Sequence, residues 1–222
     1  DLLALFDLPV VTHQLSILAD GLINAALALA ASKATGESRP SDGFVVLALG
    51  KLGGKELNYS SDIDLLFLAD SNSDTYRQVG QGLIDVLTRV TDEGFLYRVD
   101  MRLRPWGRSG PLVISLDGYL SYLQQNARIW EKQALLKARV VAGDEGLGQR
   151  FLDSAMPIVY AVDSDAARIS VSTMKRLTES HLRREGQTWG EVKLGEGSIR
   201  DIEFVTQYLQ LSYGRGYPEV RS

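Results

Sequence analysis

The sequence predicts an α+β fold, a small mixed sheet flanked by helices and followed by a helical region. Three observations predict it. Two short apolar runs, Phe44 to Leu49 and Ile63 to Ala69, have the length of buried strands rather than of helices. Apolar residues at helical spacing bracket them, at Leu15, Leu18, Leu22 and Ile23 before and at Val79, Leu83, Val86, Leu87 and Val90 after. From residue 116 onward nearly every segment reads helical.

The elements follow in order. A helix of about 18 residues runs from Leu15 through strong helix formers to Ala34. The stretch TGESRPSDG, residues 35 to 43, is turn-forming and ends it. The run Phe44 to Leu49 is the first strand, residues 51 to 61 are Gly-rich and polar, and Ile63 to Ala69, interrupted only by Asp64, is the second strand. The amphipathic helix over 79 to 90 leads through Gly94 to a third strand, Phe95 to Leu103. Pro105 to Pro111 is a loop, and Leu112 to Ile114 adds a short strand. Helices are expected over Leu116 to Ala127, Trp130 to Val141, Gly146 to Met156, Ala166 to Arg184 and Ile199 to Tyr213. At the start of the last one, Ser198 and Asp201 fit a capping box. Residues 1–160 form the expected sheet domain with its N-terminal helix, and residues 161–222 the start of a truncated helical bundle domain.

A chain of 222 residues with 45% hydrophobic and 23% charged residues is neither disordered nor collagen-like, and is long enough for a core without staples. Its lack of Cys excludes disulfides, thiolate metal sites, Cys nucleophiles and redox motifs. That lack is compatible with a reducing cytosol, and a cytoplasmic location is the expectation. The formal net charge of -4 gives no overall positive field, so neither nucleic acid nor a membrane is an expected partner. The apolar stretch Gly21 to Ser32, bounded by Asp20 and Lys33, falls short of the roughly 20 residues of a membrane span. The opening at Asp1, with no Met, basic region or cleavage site, reads as a piece of something longer without a secretory signal.

The chemistry concentrates in GKLGGKELNYSSDIDLLFL, residues 50 to 68, a Gly-rich turn followed by two carboxylates. On a strand, Asp62 and Asp64 at i and i+2 project from one face, where two acids repel unless a cation or a hydrogen-bond network compensates. Asp100 interrupts the third strand between apolar Val99 and Met101. Three acids on adjacent strands suit Mg²⁺ or Mn²⁺, which take oxygen ligands and leave room for substrate phosphates. The alternative is structural: Asp62 and Asp64 as a strand-start turn and a solvated edge residue, and Asp100 paired with Arg98 or Arg102. Gly53 and Gly54, at the end of the preceding strand, favour the metal reading, because Gly lets backbone amides approach an anion. A Walker A loop is excluded, since Lys55 stands where its second Gly is required, and GxGxxG is absent.

The order of strand, Gly-Gly turn, D-x-D strand, helix and lone Asp on a third strand resembles the nucleotidyltransferase superfamily of the DNA polymerase β type. The resemblance narrows further. GKLGGKELNYSSDIDLLFL, VDMRLRPWGRSGPLV at 99 to 113, WEKQALLKARVVAGD at 130 to 144 and KLGEGSIRDIEF at 193 to 204 are similar to the glutamine synthetase adenylyltransferase family. Such enzymes carry two nucleotidyltransferase domains: one removes AMP from a glutamine synthetase tyrosine by phosphorolysis, the other attaches AMP from ATP. ELNYSSDID, RSGPLV and KLGEGSIRDIEF resemble the deadenylylating, amino-terminal half; the other half usually has Gly-Tyr before the Ser pair and an acidic replacement in the KLGxG stretch. WEKQALLKARVV has features of both. Ser198 departs from the family, which more often has a second Gly there.

The resemblance implies that Asp62 and Asp64 bind two metals and that Asp100 bridges to one of them, with an in-line displacement at phosphorus. In that setting Gly53, Gly54, Lys51, Ser60, Ser61, Arg102 and Arg104 are the expected nucleotide- or phosphate-binding residues. Alternation along the predicted strand sends Asp100, Arg102 and Arg104 to one side. Implied partners are glutamine synthetase, ATP or ADP, phosphate and, in the full-length enzyme, the PII signal protein. Lys137, Arg139, Arg200, Asp201 and Glu203 are expected on helices as structural ion pairs, with Arg200 and Lys193 the better candidates for touching nucleotide or partner. His13 and His181 read as ordinary surface or helix residues, and Trp106, Trp130 and Trp189 as packing.

Overall fold

The computed structural model describes residues 6–36, 42–71, 74–184, 195 and 197–221. In chain order the elements are α1 (Leu8–Thr35), β1 (Phe44–Leu49), α2 (Gly50–Gly53), β2 (Ile63–Ala69), α3 (Asp74–Thr88), β3 (Val99–Asp100), β4 (Val113–Ser115), α4 (Leu116–Gln125), α5 (Ile129–Ala134), β5 (Arg139–Gly143), α6 (Glu145–Val159), α7 (Ser164–Arg184) and α8 (Ile199–Tyr213). This is the expected α+β fold, and β1, β2 and α8 have the expected bounds.

Two compact units are present, residues 1–126 with 137–154, and residues 127–136 with 155–222. The first holds a mixed sheet in the order β3-β2-β1-β5, with β4 also on β2. β1 runs antiparallel to β2 and β5, while β3 and β4 lie parallel to β2, the former at its start and the latter at its end. All six residues of β1 are buried, which explains a continuous apolar run with no alternation. One sheet face packs under α1 and α3 through residues such as Ile23, Leu27, Phe67 and Leu83. On the other face, Gly148 of α6 lies close enough to Val45 and Val140 that a Cβ would reach their methyls. Each large apolar side chain fully buried here contributes about 1.5–3 kcal/mol.

Four expectations are corrected. The first helix is longer, 28 residues, because Pro9 is tolerated in a first turn, where its missing N–H has no intrahelical role; Gly36 in the left-handed region ends it. By length and composition this whole helix could cross a membrane, a possibility that the shorter Gly21 to Ser32 stretch hid. Here it is part of the core, with nine buried residues, and its Asp20 and Asn24 bond Arg139 and the Val141 carbonyl of β5. Next, the third strand keeps only two residues: Phe95 and Leu96 are exposed, and the Asp100 side chain accepts the Arg102 amide at 2.8 Å, a turn that curls the chain off the sheet.

The helix expected over Trp130 to Val141 stops at Ala134, and the residues from Arg139 form β5, which satisfies the far edge of β1. The neighbouring Val140 and Val141 before Gly143 carry the β signal. In the second unit, α7 and α8 pack together, as do α5 and α7. The expected hydroxyl cap at Ser198 is absent: its Oγ makes no capping bond, and the Asp201 carboxylate accepts the Gly197 amide at 2.9 Å and the Lys175 ammonium at 2.8 Å instead.

Candidate functional site

The sheet brings the predicted acids to one end. Asp64 stands opposite Leu49, the last residue of β1, and opposite Asp100 of β3 in the parallel register. Asp62 lies just before β2. A cleft of about 300 Å³ is lined by Asp62, Val99, Asp100, Met101, Arg102, Arg104 and Arg108. The cleft thus gathers two of the three predicted acids and two of the predicted cations, and Arg108, which sequence reasoning did not single out.

Asp64 sets the conformation beside it. Gly50 follows β1 with φ +54°, and a Cβ there would stand 2.7 Å from Asp64 Oδ2. Only a residue without a side chain lets the end of β1 close over that carboxylate. Lys51 and Gly53 belong to α2, Gly54 follows it, and Ser60 and Ser61 form the turn before β2. The amides of Gly54 and Glu56 donate to the carbonyls of Gly50 and Lys51, at 3.0 and 2.9 Å, so the Gly-rich segment is a closed turn.

Two acids hold arginines. Arg98 Nε donates to Asp62 Oδ1 at 2.5 Å and its Nη2 to the Ser60 carbonyl at 2.6 Å. Arg102 reaches Asp100 through its amide at 2.8 Å and through its guanidinium, Nε to Oδ2 at 2.8 Å and Nη2 to Oδ2 at 2.5 Å. The pairing of Asp100 with Arg102 is one the structural alternative foresaw; Arg98, its other candidate, pairs with Asp62. The Arg102 guanidinium holds the Asp100 carboxyl below the usual carboxylate range, and Asp100 in turn raises Arg102. Both arginines are mostly solvated, with side chains 57% and 65% exposed, so either can leave its carboxylate at small cost.

Arg104 does not alternate with Asp100 along a strand. Its guanidinium donates to the carbonyls of Met101 at 2.7 Å, Arg108 at 3.2 Å and Gly110 at 3.3 Å, tying the loop together, and burial lowers its pKa. Among the described residues, the Arg108 guanidinium has no hydrogen-bond or ion-pair partner.

The donor set fits a hard divalent cation in kind, being carboxylate oxygen only. As placed, no three His, Asp or Glu side chains among the described residues converge closely enough to hold one. Two of the three carboxylates, Asp62 and Asp100, instead hold the Arg98 and Arg102 guanidiniums.

The remaining motif residues close within their own units. Lys137 pairs with Glu56, Arg139 with Asp20 at 2.7 Å, Arg200 with Glu203 at 3.3 Å and Asp201 with Lys175. Lys137 lies in a 3₁₀ turn and Arg139 on β5, not on the expected helix. Trp106 packs on Tyr122 with ring centroids 4.5 Å apart, though 54% exposed. Lys193 and Trp189 lie outside the described residues.

Comparison with known proteins matches residues 1–154 to the glutamate-ammonia ligase adenylyltransferase family model and residues 172–221 to the PII-uridylyltransferase model. The chain is 41% identical over 234 residues to the bifunctional glutamine synthetase adenylyltransferase/adenylyl-removing enzyme of Hahella chejuensis, covering 96% of this chain and 24% of that protein. It is 44% identical over 184 residues to the enzyme of that name from Pseudomonas aeruginosa, covering 77% of this chain and 19% of the relative. For the Shewanella woodyi relative the identity is 40% over 228 residues, with 94% and 24% covered. The chain spans about a quarter or less of the length of these relatives.

Proposed function

Because the chain belongs to the glutamate-ammonia ligase adenylyltransferase family, we propose that it is the adenylyl-removing nucleotidyltransferase part of such an enzyme. The reaction is phosphorolysis of adenylyl-tyrosine on glutamine synthetase: inorganic phosphate attacks phosphorus, the P–O bond to tyrosine breaks, and ADP and the tyrosine hydroxyl leave. The observation that carries this reading is the register that sets Asp64 beside Asp100, which with Asp62 lines an arginine-rich cleft. Support for the direction comes from the ELNYSSDID, RSGPLV and KLGEGSIRDIEF variants. The working unit is the sheet domain, and PII, acting on the full-length enzyme, is the regulatory partner that goes with this reading, as is a cytoplasmic setting.

Asp62, Asp64 and Asp100 would hold Mg²⁺ or Mn²⁺, which when bound supplies positive charge to the phosphoryl oxygens. Arg98 and Arg102 keep the acids neutralised until then. Once released, Arg102 faces the cleft as a fork for a phosphate, and Arg108 adds a second cation there. Arg104 shapes the loop carrying both. Gly53 and Gly54 let the turn close against Lys137 and Glu56, where a Cβ would collide, which leaves Lys51 and the Ser60 and Ser61 hydroxyls as the groups beside the turn for an anion. The tyrosine oxygen leaves as a phenolate and takes up a proton from solvent, to which the attacking phosphate gives up its own; because phosphate is the nucleophile, no protein nucleophile is required.

A second reading, a nucleotide- or PII-binding module without turnover, draws on the two arginine pairs, which leave Asp62 and Asp100 already compensated. The full-length protein, incubated with adenylylated glutamine synthetase, phosphate and Mg²⁺, and in parallel with unmodified synthetase and ATP, separates the readings when its other nucleotidyltransferase site is inactivated. ADP from the first mixture and no AMP transfer in the second is the expected result. The reverse pattern overturns the direction in favour of adenylylation, and silence in both favours the binding module.

A further inference from the structure

Outside the acid cleft, four acceptors converge on one side chain. The Arg139 guanidinium donates to Asp20 Oδ2 at 2.7 Å, Asp20 Oδ1 at 3.1 Å, the Leu52 carbonyl at 2.9 Å and the Gly53 carbonyl at 3.3 Å. Both partners of this ion pair are largely shielded, with side chains 22% and 25% exposed. Two residues earlier, the Lys137 ammonium pairs with Glu56 on the far side of the same turn. The Lys137 carbonyl presses on Gly53, where an added Cβ would overlap its oxygen and stand 2.8 Å from the Ala48 carbonyl oxygen. Lys137 and Arg139 thus grip the Gly-rich turn at Leu52, Gly53 and Glu56, and Asp20 anchors that grip to α1.

We propose that Arg139, seconded by Lys137, is a positioning residue that holds the turn over residues 50–57 in its anion-receiving conformation; the anion-receiving part rests on the function proposed above. The physical reason is that two consecutive carbonyls, Leu52 and Gly53, are drawn to one guanidinium. Flipping either peptide would cost a charge-assisted hydrogen bond in a shielded site. Gly53 and Gly54 have wide conformational freedom, so without that restraint the turn samples other shapes. Asp20, 30 or more residues from the turn in sequence, belongs to the same device.

The test compares full-length wild type with Arg139→Met, Arg139→Lys and Asp20→Asn. ADP affinity is read by titration calorimetry, kcat and KM for phosphate by the adenylyl-removing assay, and backbone amide exchange by mass spectrometry. Arg139→Met is expected to raise the KM for phosphate and weaken ADP binding by about 10- to 100-fold with a smaller change in kcat, the mark of a displaced binding group. Exchange over 50–57 is expected to speed by about tenfold while 63–69 stays protected. Arg139→Lys recovers part of the affinity, because an ammonium meets some but not all of the four acceptors. A folded Arg139→Met protein with wild-type exchange over 50–57, or with wild-type ADP affinity and KM, overturns the proposal. If Arg139→Met fails to fold, Asp20→Asn carries the same comparison with the arginine in place. If wild type neither binds ADP nor turns over, the proposed function fails on its own account, and exchange over 50–57 still decides whether Arg139 holds the turn.

Discussion

Arg102 closes on Asp100 from two directions, its amide reaching Oδ1 at 2.8 Å and its guanidinium reaching Oδ2 at 2.8 and 2.5 Å. One residue therefore both ends β3 and neutralises the carboxylate β3 delivers to the cleft.

That double role predicts competition with a cation. Arg102→Met should raise Mn²⁺ affinity by about two- to fivefold, the range of a mostly solvated ion pair, while weakening phosphate binding. Electron paramagnetic resonance titration of Mn²⁺ checks this. Unchanged or weaker Mn²⁺ binding would remove the idea that Arg102 occupies the cation's place.

Asp62→Asn gives a sharper separation of chemistry from stability. Asp62 and Arg98 are about half exposed, with side chains 52% and 57% accessible, so their pair contributes about 0–1 kcal/mol. The substitution should abolish turnover and leave the thermal midpoint within about 2 °C of wild type. A large fall in midpoint together with retained turnover would identify Asp62 as structural.

These residues also mark what was legible in the sequence. The D-x-D pair and Asp100 were readable because a carboxylate inside an apolar strand-length run contradicts its surroundings, whereas the parallel register that joins Asp64 to Asp100 is tertiary information. Arg102 and Arg104 were misplaced because strand periodicity was extended past Asp100, whose side chain captures a local amide, a competition between turn and ladder that composition does not reveal. β5 was hidden because KQALLKARVV has helix formers throughout; only the need of buried β1 for a partner on its second edge decides the matter, and that is tertiary information. The Arg139 grip on Gly53 joins residues 86 apart, beyond any local pattern.

Asp144 ties two elements and carries a pH signature. Its Oδ1 accepts the Leu147 amide at 2.8 Å in the first turn of α6, and its Oδ2 accepts the Gly43 amide at 2.9 Å ahead of β1. Hydrogen bonding, first from Leu147, holds its pKa below the usual carboxylate range. A depressed native pKa means that the stabilisation is complete above the unfolded value near 3.9 and fades as pH falls through the native one. Asp144→Ala should cost about 1–2 kcal/mol at pH 7, and Asp144→Asn much less, since Asn caps as well as Asp. Urea denaturation at pH 7 and at pH 3 checks the sign: the gap between wild type and Asp144→Ala should narrow at the lower pH, and a gap that widens would be inconsistent with the depressed pKa.

Gly50 offers a way to move Asp64 without replacing it. Its φ of +54° already costs an L side chain about 1–2 kcal/mol, and its Cβ would meet Asp64 Oδ2 at 2.7 Å. Gly36, with φ +77° and nothing within 4 Å of where a Cβ would stand, isolates the backbone component alone. Gly36→Ala should therefore lower stability by about 1 kcal/mol and leave Mn²⁺ binding and turnover intact. Gly50→Ala should cost more, because crowding adds to strain, and it should weaken Mn²⁺ binding by displacing the Asp64 carboxylate from its place beside Asp100. Denaturant titration and Mn²⁺ titration of the two variants side by side provide the check. If Gly50→Ala behaves like Gly36→Ala in both, the carboxylate of Asp64 does not depend on the close approach of β1, and that end of the site is looser than the register implies.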